Sequence, residues 1–302
     1  MRMASRTQLQ RLLPQGWHAR PGVLIVWALS DWGVIGLSWA AIATFDNLLV
    51  SVVGIVAIAS RLHALGVILH DACHRRRREK SAAWWLVEAL AGWPIGSTIE
   101  AMRYHHLRHH RASGMHSDPY RNPLQARGGL VRGLLAARGA LLPFWWSLRA
   151  FFAPFALLAP RLRTFYGRAF LQDRSGRDLT RHPEVLACLR ADLAQAAAHC
   201  AAGVAIIAFA LPFVSCYLVP WMLGGVLNAR RVIVEHAPVE NRDCTRATML
   251  ATTFTHDAGR LANAVLYPHN VGFHQAHHLY PTVAFGHLPR LQSALDLGQP
   301  AR

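Results

Sequence analysis

The chain has 302 residues, 53% of them hydrophobic, and carries 32 basic against 16 acidic residues for a formal charge of +16. The hydrophobic residues gather in long runs, which argues for a membrane protein and against one large water-soluble core. A basic chain can bind nucleic acid, but base recognition needs a soluble basic face with a docking motif; neither is present, and nucleic acid is excluded as a partner.

Arginine supplies nearly all the positive charge, Lys80 being the only lysine. Such a bias suits cytoplasmic loops, anionic headgroups or an acidic electron-transfer partner. The cysteines, Cys73, Cys188, Cys200, Cys216 and Cys244, form no CxxC pair and no disulfide framework.

In chain order, residues 1–20 form a basic arm. Residues 22–45 and 48–69 are apolar runs, each long enough to cross a hydrocarbon core of about 30 Å. Asp31 interrupts the first; Arg61 and His63 interrupt the second. The short link through Asp46 and Asn47 makes 22–69 a first transmembrane hairpin. Residues 75–80, RRRREK, follow at once, so this end and the N-terminal arm are expected in the cytoplasm.

Residues 84–95 are apolar but short and contain Glu88, Gly92 and Pro94, which predicts a surface or re-entrant helix. Residues 130–160 mix apolar and aromatic side chains with Arg132, Arg138 and Arg149, and Pro143, Pro154 and Pro160 break the stretch; interfacial helices are expected. Residues 165–184 read as a solvent loop. Residues 193–211 and 213–234, around Pro212, form a second hairpin, 193–234. The expected architecture is an all-α polytopic membrane protein in a single domain, 1–302. It has four spans in two transmembrane hairpins, interfacial helices and a cytoplasmic histidine-rich cap.

Three histidine clusters punctuate this plan. His70 and His74 lie one helical turn apart in HDACH. His106, His109 and His110 sit at i, i+3 and i+4 in HLRHH, and His274, His277 and His278 repeat that spacing in HQAHH. Rings so spaced share one helix face. His236 follows Glu235 in an apolar stretch. His105 could replace His106 as the first member of the second cluster, but His106 gives it the spacing of the third. A lone histidine is ordinarily a satisfied polar residue, and His63, His116, His199, His256, His269 and His287 stay in that class. The nine clustered histidines are too many for one ion with an open position, so two ions with four or five imidazoles each fit better. Imidazole alone does not choose between zinc, copper, iron and nickel. There is no HExxH and no Glu-x-x-His pair.

The three clusters, their order and the flanking words resemble the membrane fatty acid desaturase family, within the wider membrane desaturase–hydroxylase superfamily. Those words are SDP at 117–119, VEHAP at 234–238 and NVGFHQAHHLYP at 270–281. The resemblance implies a non-haem di-iron centre held by His70, His74, His106, His109, His110, His236, His274, His277 and His278. It also implies dioxygen as co-substrate and desaturation of a fatty acyl chain in a lipid or acyl thioester. No haem-attachment CxxCH is present, so a separate electron donor is expected, such as ferredoxin with its reductase. The expected location is a bacterial inner membrane with the clusters on the cytoplasmic side. Asp71, Asp118 and Glu235 are candidate acceptors for imidazole N–H groups. Asn270 either meets a metal-bound water or is a turn residue after Pro268. The same ligands also serve hydroxylation of a lipid, alkane or carotenoid. From another class, the rival is a membrane metal-binding or transport protein, disfavoured because the clusters lie at span ends rather than at the bilayer midplane.

Overall fold

A computed structural model of the chain describes residues 6–13, 16–75, 81–208 and 212–294. The basic run at 76–80, with Lys80, lies outside the described residues, as do residues 1–5 and 14–15 of the expected N-terminal arm. Among the described residues the fold is all-helical, without strands; an isolated antiparallel bridge pairs His236 with Thr253.

The N-terminal half comprises α1 (Arg6–Leu12), α2 (Pro21–Thr44), α3 (Leu48–Cys73), α4 (Ala82–Val87) and α5 (Ile99–Ala112). Then come α6 (Gly129–Ala137), α7 (Leu142–Leu158), α8 (Leu162–Phe170), α9 (Pro183–Ala208) and α10 (Val219–Glu235). Four short helices close the chain: α11 (Arg246–Thr252), α12 (Arg260–Leu266), α13 (His274–Leu279) and α14 (Leu288–Ala294).

Among the described residues, four helical segments are long and apolar enough to cross a membrane: α2, α3, the run Gly129–Leu158 and α9. The first two lie where the apolar runs predict. They pack along each other, and Asn47 caps α3 by accepting the Val50 amide at 3.1 Å. The burial of α3 changes along its length. Leu48, Leu49, Val52 and Val53 face outward, whereas from Ile58 to Cys73 nearly every side chain is buried. One end of α3 is thus a lipid-facing helix and the other a core helix.

The run Gly129–Leu158 corrects the expectation of interfacial helices. A short 3-10 turn, Arg138–Leu141, joins α6 to α7 without breaking the rod. Pro143 sits in the first turn of α7, where no amide hydrogen is needed, and Pro154 is absorbed within it. Arg149, which suggested a wet surface, is 1% exposed and paired with Asp192 of α9 at 2.8 Å. Tyr166 also donates to Asp192, at 2.6 Å. The pair is buried between two helices, so the charge does not hold the segment at the interface.

The second pair also differs from expectation. Helix α9 begins at Pro183, ten residues before the predicted start, so part of the predicted solvent loop is helical. A π turn, Val214–Leu218, leads into α10. The link at 209–211 lies outside the described residues. Helix α9 packs on α7 and α5, while α10 packs on α3 and α6. Gly139, in the turn between α6 and α7, and Gly225 let α10 pack on that turn: a Cβ on Gly225 would collide with the Gly139 carbonyl oxygen.

Candidate metal centre

Helix α5 carries the second cluster, and its ends are fixed by side chains. Thr98 accepts the Ala101 amide at 3.2 Å and Glu88 accepts the Ile99 amide at 2.5 Å, so two groups cap the N-terminus. Arg103 reaches from α5 to the end of α3, donating to the carbonyls of Cys73 at 2.7 Å and Arg75 at 2.9 Å. That clamp satisfies orphan carbonyls at the helix end and holds the first cluster against the second.

The third cluster comes from α13. Its approach to α3 is fixed by Phe285, whose ring lies 5.1 Å from His70 and 5.0 Å from His277. Asp71 accepts the Phe285 amide at 3.4 Å. His236 is held just past α10 by the bridge to Thr253, where the Phe254 amide donates to Glu235 O at 2.9 Å.

These elements bring all nine clustered histidines together, in two groups. His70, His74, His106, His110 and His277 form one, and His109, His236, His274 and His278 the other; within each, the ligand atoms lie within 4.8 Å of one another. The rings point Nε2 inward. His106 Nε2 lies 2.5 Å from His70, 3.0 Å from His74 and 2.8 Å from His110, and His110 is 3.0 Å from His277. In the second group, His278 Nε2 is 3.3 Å from His109 and 3.2 Å from His236, and His236 is 3.1 Å from His274.

That geometry fits metal ions. A metal–imidazole bond of about 2.0–2.1 Å puts neighbouring nitrogens of a coordination shell about 3 Å apart. A neutral ring has one N–H, so five Nε2 atoms cannot all hydrogen-bond one another; their lone pairs need a shared cation. The protonation states agree. Burial, and then the neighbouring rings, hold His106, His110, His274, His277 and His278 well below the usual imidazole range. Burial lowers His74 and His236 to about 3. Those seven rings are neutral at physiological pH, as ligands must be.

The outer contacts are uneven. Asp118 accepts from His109 Nδ1 at 2.9 Å. Burial alone would raise its carboxyl, but the close contact and hydrogen bond with His109, with the amides of Gly114 and Tyr120, outweigh that and hold it below the usual range. Glu235 Oε2 lies 3.4 Å from His274 Nδ1, in charge-pair range, and accepts from Arg231 at 2.6 Å. His105 turns from the cluster and bonds Tyr120 Oη at 2.7 Å. Asp71, expected to accept from an imidazole, accepts instead from Phe285. Asn270 adopts a left-handed turn with φ 65°, and its carbonyl accepts the Phe273 amide at 3.1 Å.

Sequence reasoning missed Tyr120, which stacks on His109 at 4.4 Å. It also missed Arg231, although the i, i+4 spacing to Glu235 was a readable signal. His269, left in the bland class, bonds Asp31 at 2.8 Å and stacks on Trp27.

A cavity of about 610 Å³ abuts the cluster at His70, His106, His109, His236 and His274. Its wall also includes the apolar Leu62, Ile95, Met102, Leu142, Trp146 and Trp221, and the polar Arg121, Gln125, Arg138 and Asp173.

The family model for fatty acid desaturases matches residues 46–300. The chain belongs to the fatty acid desaturase family. The match takes in all three histidine clusters and His236. None of the curated proteins matches this desaturase-family chain. Family membership and the four apolar helices make it a membrane protein, and desaturases are oxidoreductases.

Proposed function

We propose that this protein desaturates a fatty acyl chain, carried in a lipid or an acyl thioester, at a di-iron centre held by the nine histidines. The observation that carries this is the inward convergence of two groups of Nε2 atoms beside a cavity lined in part by apolar side chains. His70, His74, His106, His110 and His277 would hold one iron; His109, His236, His274 and His278 would hold the other. Iron bound there supplies reduction of dioxygen and removal of hydrogen from an unactivated methylene.

The chain's own residues do the rest. Low basicity keeps His74, His106, His110, His236, His274, His277 and His278 neutral, so protons do not compete for those ligand atoms. Asp118 fixes the tautomer of His109 by taking its Nδ1–H. Phe285 packs on His70 and His277 and shields that side from water. Leu62, Ile95, Met102 and Trp221 hold a hydrocarbon chain so that one methylene lies nearest the rings.

The chain acts as one domain, 1–302. The cluster end of α3 faces the cytoplasm of a bacterial inner membrane. Electrons come from a separate donor, a ferredoxin with its reductase, received at the arginine-bearing face.

The test is expression in a bacterial host with a matching ferredoxin system, followed by mass spectrometry of total lipids. Lipids lighter by two hydrogens support the proposal; lipids heavier by one oxygen assign hydroxylation instead. His109→Ala should abolish either product while the protein still inserts. Full turnover in that variant contradicts the site.

A further inference from the structure

Part of the cavity wall is polar in a way the metal centre does not use. His63 on α3 is 3% exposed and lines the cavity, yet neither ring nitrogen has a hydrogen-bond partner. The Val265 backbone lies beside the ring without normal hydrogen-bond geometry. His63 stands two helical turns before His70, about 10 Å along the axis.

On α10, Asn228 and Arg231 line the same cavity. Arg231 is 6% exposed. It gives NH1 to Glu235 at 2.6 Å and NH2 to Asn228 at 3.3 Å, which leaves its Nε–H without a partner. Arg231 and His63 share the wall of one cavity, where α3 and α10 pack together. Gly224 sets that proximity: a Cβ there would stand 3.1 Å from the Ala59 carbonyl oxygen and 3.4 Å from Leu62.

Buried polar atoms are ordinarily satisfied, by protein, water or ligand. A plain hydrocarbon in this cavity would leave the His63 ring and the Arg231 Nε–H dry. We propose that the cavity binds a lipid bearing a neutral oxygen, as a hydroxyl, ketone or ester carbonyl, held between His63 and Arg231. Hydrocarbon next to that oxygen then reaches the histidine cluster. The chemistry is selective. Arg231 Nε–H only donates, so the ligand atom must accept, while the imidazole donates or accepts according to its tautomer. The ion pair with Glu235 already neutralises the guanidinium, and the free Glu235 Oε1 on the same wall disfavours an anionic group. The ligand is therefore an alcohol, ketone or ester rather than a free carboxylate. This deepens the desaturase reading and rests on it for the reaction, but not for the binding.

The test is equilibrium binding to full-length, iron-loaded protein in nanodiscs, with n-octadecane, 1-octadecanol and methyl stearate as probes. Wild type should bind the two oxygen-bearing probes about tenfold or more tighter than octadecane, one satisfied hydrogen bond's worth. His63→Leu should close the gap to about twofold, and His63→Gln, which still donates and accepts, should keep most of it. Metal analysis checks that each variant is folded and loaded. Equal affinity for all three probes in wild type, binding of none, or an unchanged gap in His63→Leu would overturn the proposal and leave the polar wall to water. A clear preference without any lighter or oxygenated product would count against the reaction and not against this site.

Discussion

Asp118 and His109 form a charge-assisted pair at 2.9 Å, and two backbone amides, Gly114 at 2.7 Å and Tyr120 at 2.8 Å, fix the carboxylate behind the ring. The ring therefore offers Nε2 inward in one tautomer. Asp118→Ala should lower metal affinity by about 10–100-fold, a typical loss for such a partner. Competition of the loaded protein with a chelator measures it, and unchanged affinity would remove Asp118 from the centre.

His277 and His278 are neighbours on α13 but belong to different groups. His277→Ala should empty the five-histidine group and His278→Ala the four-histidine group, each leaving about one ion of two by metal analysis. Two variants that both retain full loading would refute the grouping.

Burial holds His74, His105 and His236 at about 3, below the ordinary value of 6.5. A group that is less basic in the folded state binds fewer protons there than when unfolded. Its contribution is complete above the unfolded value and is lost as pH falls toward the folded one. Metal-depleted protein should therefore melt at lower temperature as pH drops from about 7 to about 5. A melting temperature that rises over this range would contradict the neutral-ring assignment.

Asp31 and Arg61 pair at 3.0 Å between α2 and α3, and His269 joins Asp31 at 2.8 Å. Removing one partner strands the other, so Asp31→Leu should destabilise by about 3–5 kcal/mol. The double variant Asp31→Leu with Arg61→Leu should lose less, because no charge is stranded. Thermal unfolding in detergent compares the two; a double variant that falls further than the single one would reject the account.

Gly225→Ala should cost about 1–3 kcal/mol by forcing α10 from the Gly139 carbonyl. The same measurement checks it, and an unchanged melting temperature would show that the crossing gives way freely.

Much of this was legible in the residues. The spacing of His106, His109 and His110 fixes a shared helix face whatever the fold. How the clusters are shared out was not legible, because it depends on how α3, α5, α10 and α13 meet in space. Asp118 was readable as an acceptor, whereas Asp71 carries an equal sequence signal and supports the backbone of Phe285. Residues 130–160 misled because Arg149 looked like a charge in need of water. Its partner, Asp192, lies more than forty positions away on another helix, and no local pattern announces it.

Helix α5 gives His106 and His110 to one group and His109 to the other. A single backbone segment is thus the common wall of both sites. Filling either one stiffens that wall for its neighbour, so metal uptake should be cooperative, with a titration steeper than two independent sites allow. Two separable, unequal steps in calorimetry would show instead that α5 is already rigid before any metal arrives.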